Sequence, residues 1–300
     1  MTEYLPDRPV RAVGVAMLDS LHEHRLLSTA QLRELHTPNA KTSGTRRVLR
    51  DLERRKLVAV TRGRGPTKLY YLTPAGGRAI QSIAARRESH STTVPTPEQA
   101  AGPLRAHTLS VNDVGVAFVR AARVAGDDCG PLAWEHEVSH PIGSTPGRRG
   151  AERVISDALL TYLRTDDDGV TVHQRLIELD RMTASTHALA AKLSRYARLY
   201  RHTGAKRSDP LWKTRYETFP GVLVALTGGS VQSLDRRRQT VLALCAHDAL
   251  LTSTPQVEIA FCLLDELIAR GPFSPIFLTL RDPQHWTDWL GATPASEGSE

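Results

Sequence analysis

The stretch LVAVTRGRGPTKLYYLTPAG, residues 57–76, decides the fold of the N-terminal part of this 300-residue chain. Leu57 to Val60 and Lys68 to Leu72 are short apolar and aromatic runs, and the segment between them holds the breakers Gly63, Gly65 and Pro66. The spacing predicts a β-hairpin with Arg62 and Arg64 at its tip. Thr73 and Pro74 then supply a cap and a first-turn proline, which predicts a helix through about Arg87. Upstream, Val13, Met17, Leu18 and Leu21 recur at helical spacing, predicting a helix over 10–24. A second helix over 28–36 is signalled by the capping-box pair Ser28 and Gln31, with Leu32 and Leu35 inward. A third starts at Thr42 or Ser43 as cap, carries Val48, Leu49 and Leu52 on one side, and places Arg46, Arg47, Arg50 and Arg54 elsewhere.

Helix, helix, basic helix, hairpin, helix is the order of a winged helix-turn-helix domain, assigned to residues 1–88. The LTPAG segment also resembles the LTxxG that follows the wing in bacterial regulators of the MarR and PadR kind. In such a domain the third helix enters the major groove of duplex DNA and the wing reaches the flanking backbone. Thr42, Ser43, Thr45, Arg46, Arg47 and Arg50 are then the expected reading residues, with Arg62, Arg64 and Lys68 on the wing. Cations near a helix N-terminus oppose the helix dipole, so Arg46, Arg47 and Arg50 need another reason for their position; Arg54, Arg55 and Lys56 fit the C-terminal end of the dipole without one.

Charge follows the same division. Residues 1–90 hold 17 of the 39 Lys and Arg but 8 of the 32 Asp and Glu, a net of +9, while the remainder nets −2. A compact basic segment is the footprint of a phosphate-backbone binder. Cys129, Cys245 and Cys262 lie far apart, with no CxxC and no neighbouring His spacing, so neither a disulfide framework nor a zinc site is suggested. No run approaches the roughly 18 apolar residues of a membrane span, and the N-terminus lacks the apolar stretch of a signal peptide, so a cytoplasmic protein with no membrane partner is expected.

Residues 89–103 are polar, proline-containing and without period, and read as a linker. Beyond it a second domain is expected over 104–290, with 291–300 as a disordered tail. Its predicted order is a helix (107–125), strands over 132–138, 154–163 and 173–180, a helix (186–202), a strand (221–226), a helix (231–247) and a strand (257–263). That is an α/β layered order. Asp166, Asp167, Asp168 and Gly169 lack the ligand spacing of a calcium loop and read as a hairpin turn. The LTGGS segment (226–230) lacks a Walker lysine and reads as a strand-to-helix turn; Arg236, Arg237 and Arg238 read as a solvated face or an extension of a DNA surface.

Asp157 lies in the second of these strands, and the period of two puts Glu178 and Asp180 on one face of the third. Three converging carboxylates repel unless a cation sits among them, so Asp157, Glu178 and Asp180 are a candidate Mg²⁺ or Mn²⁺ site for phosphodiester hydrolysis. Pairing of these acids with arginines such as Arg153 or Arg175 is the competing structural explanation. The Asp-x(20)-Glu-x-Asp pattern resembles the PD-(D/E)XK nuclease core and implies a restriction-endonuclease-like domain. Ser156 stands where that motif has proline and Asp180 where it has lysine. Arg181 cannot act as a base; the resemblance, which includes members with a relocated lysine, implies that Lys192 on the next helix supplies the missing ammonium.

The winged helix, the proline-rich linker, Ser156-Asp157-Ala158, the run from Ile177 to Thr183 and the pattern Lys192-Leu193, Tyr196, Leu199-Tyr200 together resemble the actinobacterial replication-relaxation proteins of plasmids and integrative elements, over roughly residues 10–285. The resemblance implies a role in replication or relaxation of mobile-element DNA, with Asp157, Glu178, Asp180 and Lys192 as one catalytic site. Three functions stay open from the sequence. One is a DNA-binding protein with a metal-dependent nicking site, acting as a homodimer or with replication or conjugation partner proteins. The second is a transcriptional regulator whose nuclease-like domain is inactive and serves dimerisation or partner docking. The third is a module whose basic domain binds protein.

Overall fold

The computed structural model describes residues 10–62, 67–84, 102, 105–144, 151–203 and 209–293. Arg64 at the expected hairpin tip, nearly all of the expected linker and residues 294–300 of the expected tail lie outside the described residues. The chain divides into two compact units, Met1–Arg120 with Gly130–Leu132, and Ala121–Cys129 with Ala133–Glu300.

The first unit contains α1 (Ala12–His24), β1 (Leu27–Ser28), α2 (Thr29–His36), α3 (Thr42–Arg54), β2 (Val58–Arg62), β3 (Lys68–Leu72) and α4 (Pro74–Ala84). The three strands form an antiparallel sheet in the order β1-β3-β2, with Val60 opposite Tyr70. The capping box forms as the sequence predicts: Ser28 Oγ accepts from Gln31 N and Gln31 Oε1 accepts from Ser28 N. The start of α3 differs, because Lys41 is its N-cap and no side chain caps it. Behind the hairpin, Thr73 Oγ1 accepts from Gly76 N at 3.1 Å and donates to Lys56 O at 2.6 Å. A Cβ on Gly76 would stand 2.0 Å from the Leu57 carbonyl oxygen, so only glycine lets α4 lie this close to the start of β2.

The boundary expected at 103/104 moves to Arg120/Ala121, inside α5 (Arg105–Ala125). Polar side chains tie the first part of α5 into the first unit. Asn112 Nδ2 donates to Leu26 O at 2.8 Å, and Gln31 Nε2 donates to Leu109 O at 2.9 Å and to Asp113 Oδ1 at 2.7 Å.

The second unit is built on a six-stranded sheet in the order β4 (Trp134–Ser144), β5 (Ala151–Asp166), β6 (Gly169–Asp180), β7 (Gly221–Leu226), β8 (Ile259–Leu263) and β9 (Leu278–Thr279). The pairs β4–β5, β5–β6 and β8–β9 are antiparallel; β6–β7 and β7–β8 are parallel, joined through α6 (Thr186–Arg201) and α7 (Val231–Ala246). Every residue of β7 is buried, as a central parallel strand covered on both faces requires. Leu189, Leu193 and Tyr196 of α6 and Leu234, Val241 and Leu242 of α7 share a core with Leu176, Val222, Val224 and Leu226 of the sheet. Burying each such leucine stabilises the unit by about 1.5–3 kcal/mol. Short helices α8 (Ala249–Thr252) and α9 (Leu264–Arg270) complete the unit. Among the described residues no helix is long and apolar enough to cross a membrane.

Candidate functional site

In the first unit a basic groove runs between α2, α3 and β3. It is lined by Thr42, Ser43, Arg46 and Arg50 of α3, by Lys68 and Tyr70 of β3, and by Thr29 and Arg33 of α2. At 100° per residue, positions 42, 43, 46 and 50 fall within one 100° arc of α3, while Thr45, Leu49 and Leu52 fall on the adjoining, buried arc. Thr45, expected to read bases, is therefore fully buried, and its hydroxyl lies 2.8 Å from that of Thr37. Arg47 turns away from the groove and lines a separate cavity with α1. Arg62 ends β2 and is exposed. The sequence reading missed Thr29, Arg33 and Tyr70. The Arg33 guanidinium lies 3.4 Å from Thr42 Oγ1, and its position in the last turn of α2 explains why it reads as an ordinary dipole-favoured cation.

In the second unit Asp157, Glu178 and Lys192 come together. The β5–β6 ladder extends to Ala158 opposite Ile177, and beyond it the Asp157 carboxylate accepts the Leu179 N–H at 2.7 Å. Glu178 is almost wholly buried; it accepts from Tyr196 Oη on one oxygen and from Lys192 Nζ on the other. Lys192 Nζ is also 3.8 Å from Asp157 Oδ1, and the Lys192 and Asp157 side chains keep 29% and 20% exposure. Helical spacing aims Lys192 and Tyr196 at the same carboxylate, one turn apart on α6. Burial is the larger influence on Glu178 and pushes its carboxyl up to about 7, with Lys192 opposing the rise. Burial and the Glu178 charge raise the Tyr196 phenol well above its ordinary value, so Tyr196 stays the donor.

Asp180 does not join this group. Both of its oxygens are taken by Arg237, which also donates to Ala184 O at 2.7 Å, and its Oδ1 accepts from Met182 N. Alternation does place Asp180 on the face of Glu178, but the long Arg237 side chain from α7 claims it. The pairing explanation thus holds for Asp180 with an arginine other than Arg153 or Arg175. Of the basic triplet on α7, Arg236 is exposed whereas Arg237 and Arg238 are buried. Among the described residues no three His, Cys, Asp or Glu side chains form a metal-ligand group.

No curated protein matches the sequence. Among solved structures, one from Bordetella bronchiseptica concerning regulation of DNA binding of BpsR by 6-hydroxynicotinic acid is 25% identical with a TM-score of 0.24, covering 28% of this chain and 59% of that one. The restriction endonuclease FokI bound to DNA is 11% identical with a TM-score of 0.27, covering 90% of this chain and 46% of that one. The chain spans about half the length of these structures, and both likenesses are weak. The replication-relaxation family model matches residues 18–211, well over half of the sequence, and the chain belongs to the replication-relaxation family.

Proposed function

We propose that the protein binds duplex DNA of a plasmid or integrative element in the course of its replication or relaxation, through a winged helix-turn-helix domain. The observation that carries this reading is the groove in which Arg33, Arg46, Arg50 and Lys68 converge without a carboxylate among its lining residues. Four cations on one concave surface suit a row of phosphates, and half-buried Thr42 and exposed Ser43 of α3 offer short hydroxyl groups for base edges. Electrostatic binding of this kind releases counterions. Fluorescence anisotropy of the full chain on a labelled duplex is expected to show affinity falling by about 10³ or more between 50 and 200 mM salt. Affinity indifferent to salt would overturn the proposal.

A second reading, metal-dependent strand cleavage in the second unit, is supported by the meeting of Asp157, Glu178 and Lys192. Mg²⁺ commonly takes one or two carboxylates and completes its shell with water and substrate phosphate. Asp157 and Glu178 already share one cation, the Lys192 ammonium, and are the two carboxylates that would hold a divalent ion; Asp180 is instead paired with Arg237. Bound there, Mg²⁺ or Mn²⁺ would supply Lewis-acid stabilisation of charge on a phosphodiester. Tyr196 and Lys192 both donate to Glu178 and orient it, and Lys192 Nζ lies 3.8 Å from Asp157 Oδ1. Thermal melts of wild type, Asp157→Asn and Glu178→Gln with and without Mn²⁺ test the fit. A wild-type melt unmoved by Mn²⁺ removes the metal reading and leaves the DNA-binding one standing.

A further inference from the structure

The cavity on the other side of α3 is not used by the proposed DNA contact. It encloses about 210 Å³ between the N-terminal turn of α1 and the middle of α3. Its apolar lining consists of Val10, Gly14, Val48 and Leu52, and its polar lining includes Arg11 and Arg47, both exposed. Asp51, also in the lining, is bridged by Arg54 at 2.7 Å and Arg55 at 2.9 Å. The acid is thus committed to two neighbouring guanidiniums, and among the described residues the cavity lining offers Arg11 and Arg47 no further carboxylate. Gly14 creates part of the space: a Cβ there would stand 2.8 Å from Val10 Cγ1, 3.5 Å from Leu52 Cδ2 and 3.7 Å from Val48 Cγ1. Glycine in a helix costs up to about 1 kcal/mol relative to alanine, and here its effect is an apolar pocket beneath two guanidiniums.

We propose that this cavity binds a small organic anion, with an apolar body against Val10, Gly14, Val48 and Leu52 and a carboxylate held by Arg11 and Arg47, and that its occupancy weakens DNA binding. Backbone phosphate alone would gain nothing from the apolar floor, which is why a small acid with a hydrocarbon body fits better. Guanidinium and carboxylate make paired, charge-assisted hydrogen bonds. The linkage follows from Arg47, which adjoins Arg46 on α3: an anion there neutralises positive charge beside the groove. This second part rests on the DNA-binding reading above, whereas the ligand site itself does not.

The test uses the full chain with benzoate as probe and inorganic phosphate as the anion without an apolar body. Calorimetric titration without DNA is expected to show saturable benzoate binding, weakened about tenfold or more by Arg11→Ala or Arg47→Ala. Gly14→Ala keeps both cations and is expected to weaken benzoate by filling the floor; an unchanged melting temperature or an increase in this variant verifies that the fold is retained. Non-saturable binding, binding indifferent to these substitutions, or equal binding of phosphate would overturn the site. Anisotropy on a labelled duplex at constant ionic strength then reads the linkage: DNA affinity is expected to fall with benzoate in wild type and not in Gly14→Ala. Saturable benzoate binding with unchanged DNA affinity would overturn the linkage, and salt-independent DNA binding would be recognised separately as failure of the DNA-binding reading.

Discussion

The two units deploy cations in opposite ways. In the groove of the first, Arg46 is exposed and meets no carboxylate in the groove lining, and Arg50 donates to the Arg46 carbonyl at 3.3 Å. In the second, Lys192 is committed to Glu178 and Asp157, and Arg237 to Asp180. An exposed guanidinium spends little desolvation energy in the free protein and is available to a ligand. A buried one is held by its partner, and separating the two leaves an uncompensated charge in a poorly solvating interior. Net charge alone would not distinguish these roles.

The sharpest break of this contrast is Arg237→Ala against Arg46→Ala. Removing Arg237 strands the buried Asp180 carboxylate and is expected to destabilise the second unit by about 3–5 kcal/mol in urea denaturation. A loss below about 1 kcal/mol would mean that the pair is dispensable. Arg46→Ala is expected to leave stability within about 0.5 kcal/mol and to cost about 1–3 kcal/mol of preference for the specific duplex over random sequence. Equal losses on both duplexes would reassign Arg46 to the backbone. Arg33→Ala, by contrast, is expected to weaken both duplexes alike and to reduce the slope of log affinity against log salt by about 1.

A further expected effect concerns pH. His140 is buried, with Nε2 2.6 Å from Tyr216 Oη, and burial, aided by Arg215 and Arg153, lowers its pKa to about 4. The unfolded chain, with histidine near 6.5, then binds the proton more readily than the folded one. Stability is fully present above the unfolded value and declines as pH falls from about 6.5 towards 4. In His140→Gln that decline is expected to shrink by on the order of 1–3 kcal/mol over this window, read as the pH dependence of urea midpoints. Parallel pH curves for the two proteins would show that His140 does not contribute.

Elements with one dominant periodicity were legible in the sequence. GVLVAL forms β7 over the same six residues that the apolar run marks, and α6 begins at Thr186 as its spacing predicts. The basic face of α3 was legible for the same reason. What stayed hidden depends on contacts distant in sequence. Asp180 finds Arg237 57 residues away, and no local pattern announces it. Thr45 reads as polar and therefore outward, whereas Thr37 satisfies its hydroxyl inside. The 103/104 boundary followed composition, yet Asn112 and Gln31 anchor α5 through amide groups that hydropathy scores as solvent-facing. Short β1, β9, α8 and α9 carry too few residues for any period to register.

The strand order also sets a sequence of events during synthesis. β4, β5, β6 and α6 occupy residues 134–201 and are joined by neighbouring antiparallel pairings and one short connection, so their loops close at small entropic cost. Asp157, Glu178, Lys192 and Tyr196 all belong to this stretch. Arg237 is added to the chain 36 residues after Arg201. The nascent chain can therefore bring Glu178 to its lysine and tyrosine while Asp180 still faces water. Docking of α7 then withdraws that carboxylate from solvent, making the closing of the parallel half of the sheet the step that removes the last exposed acid from the end of β6.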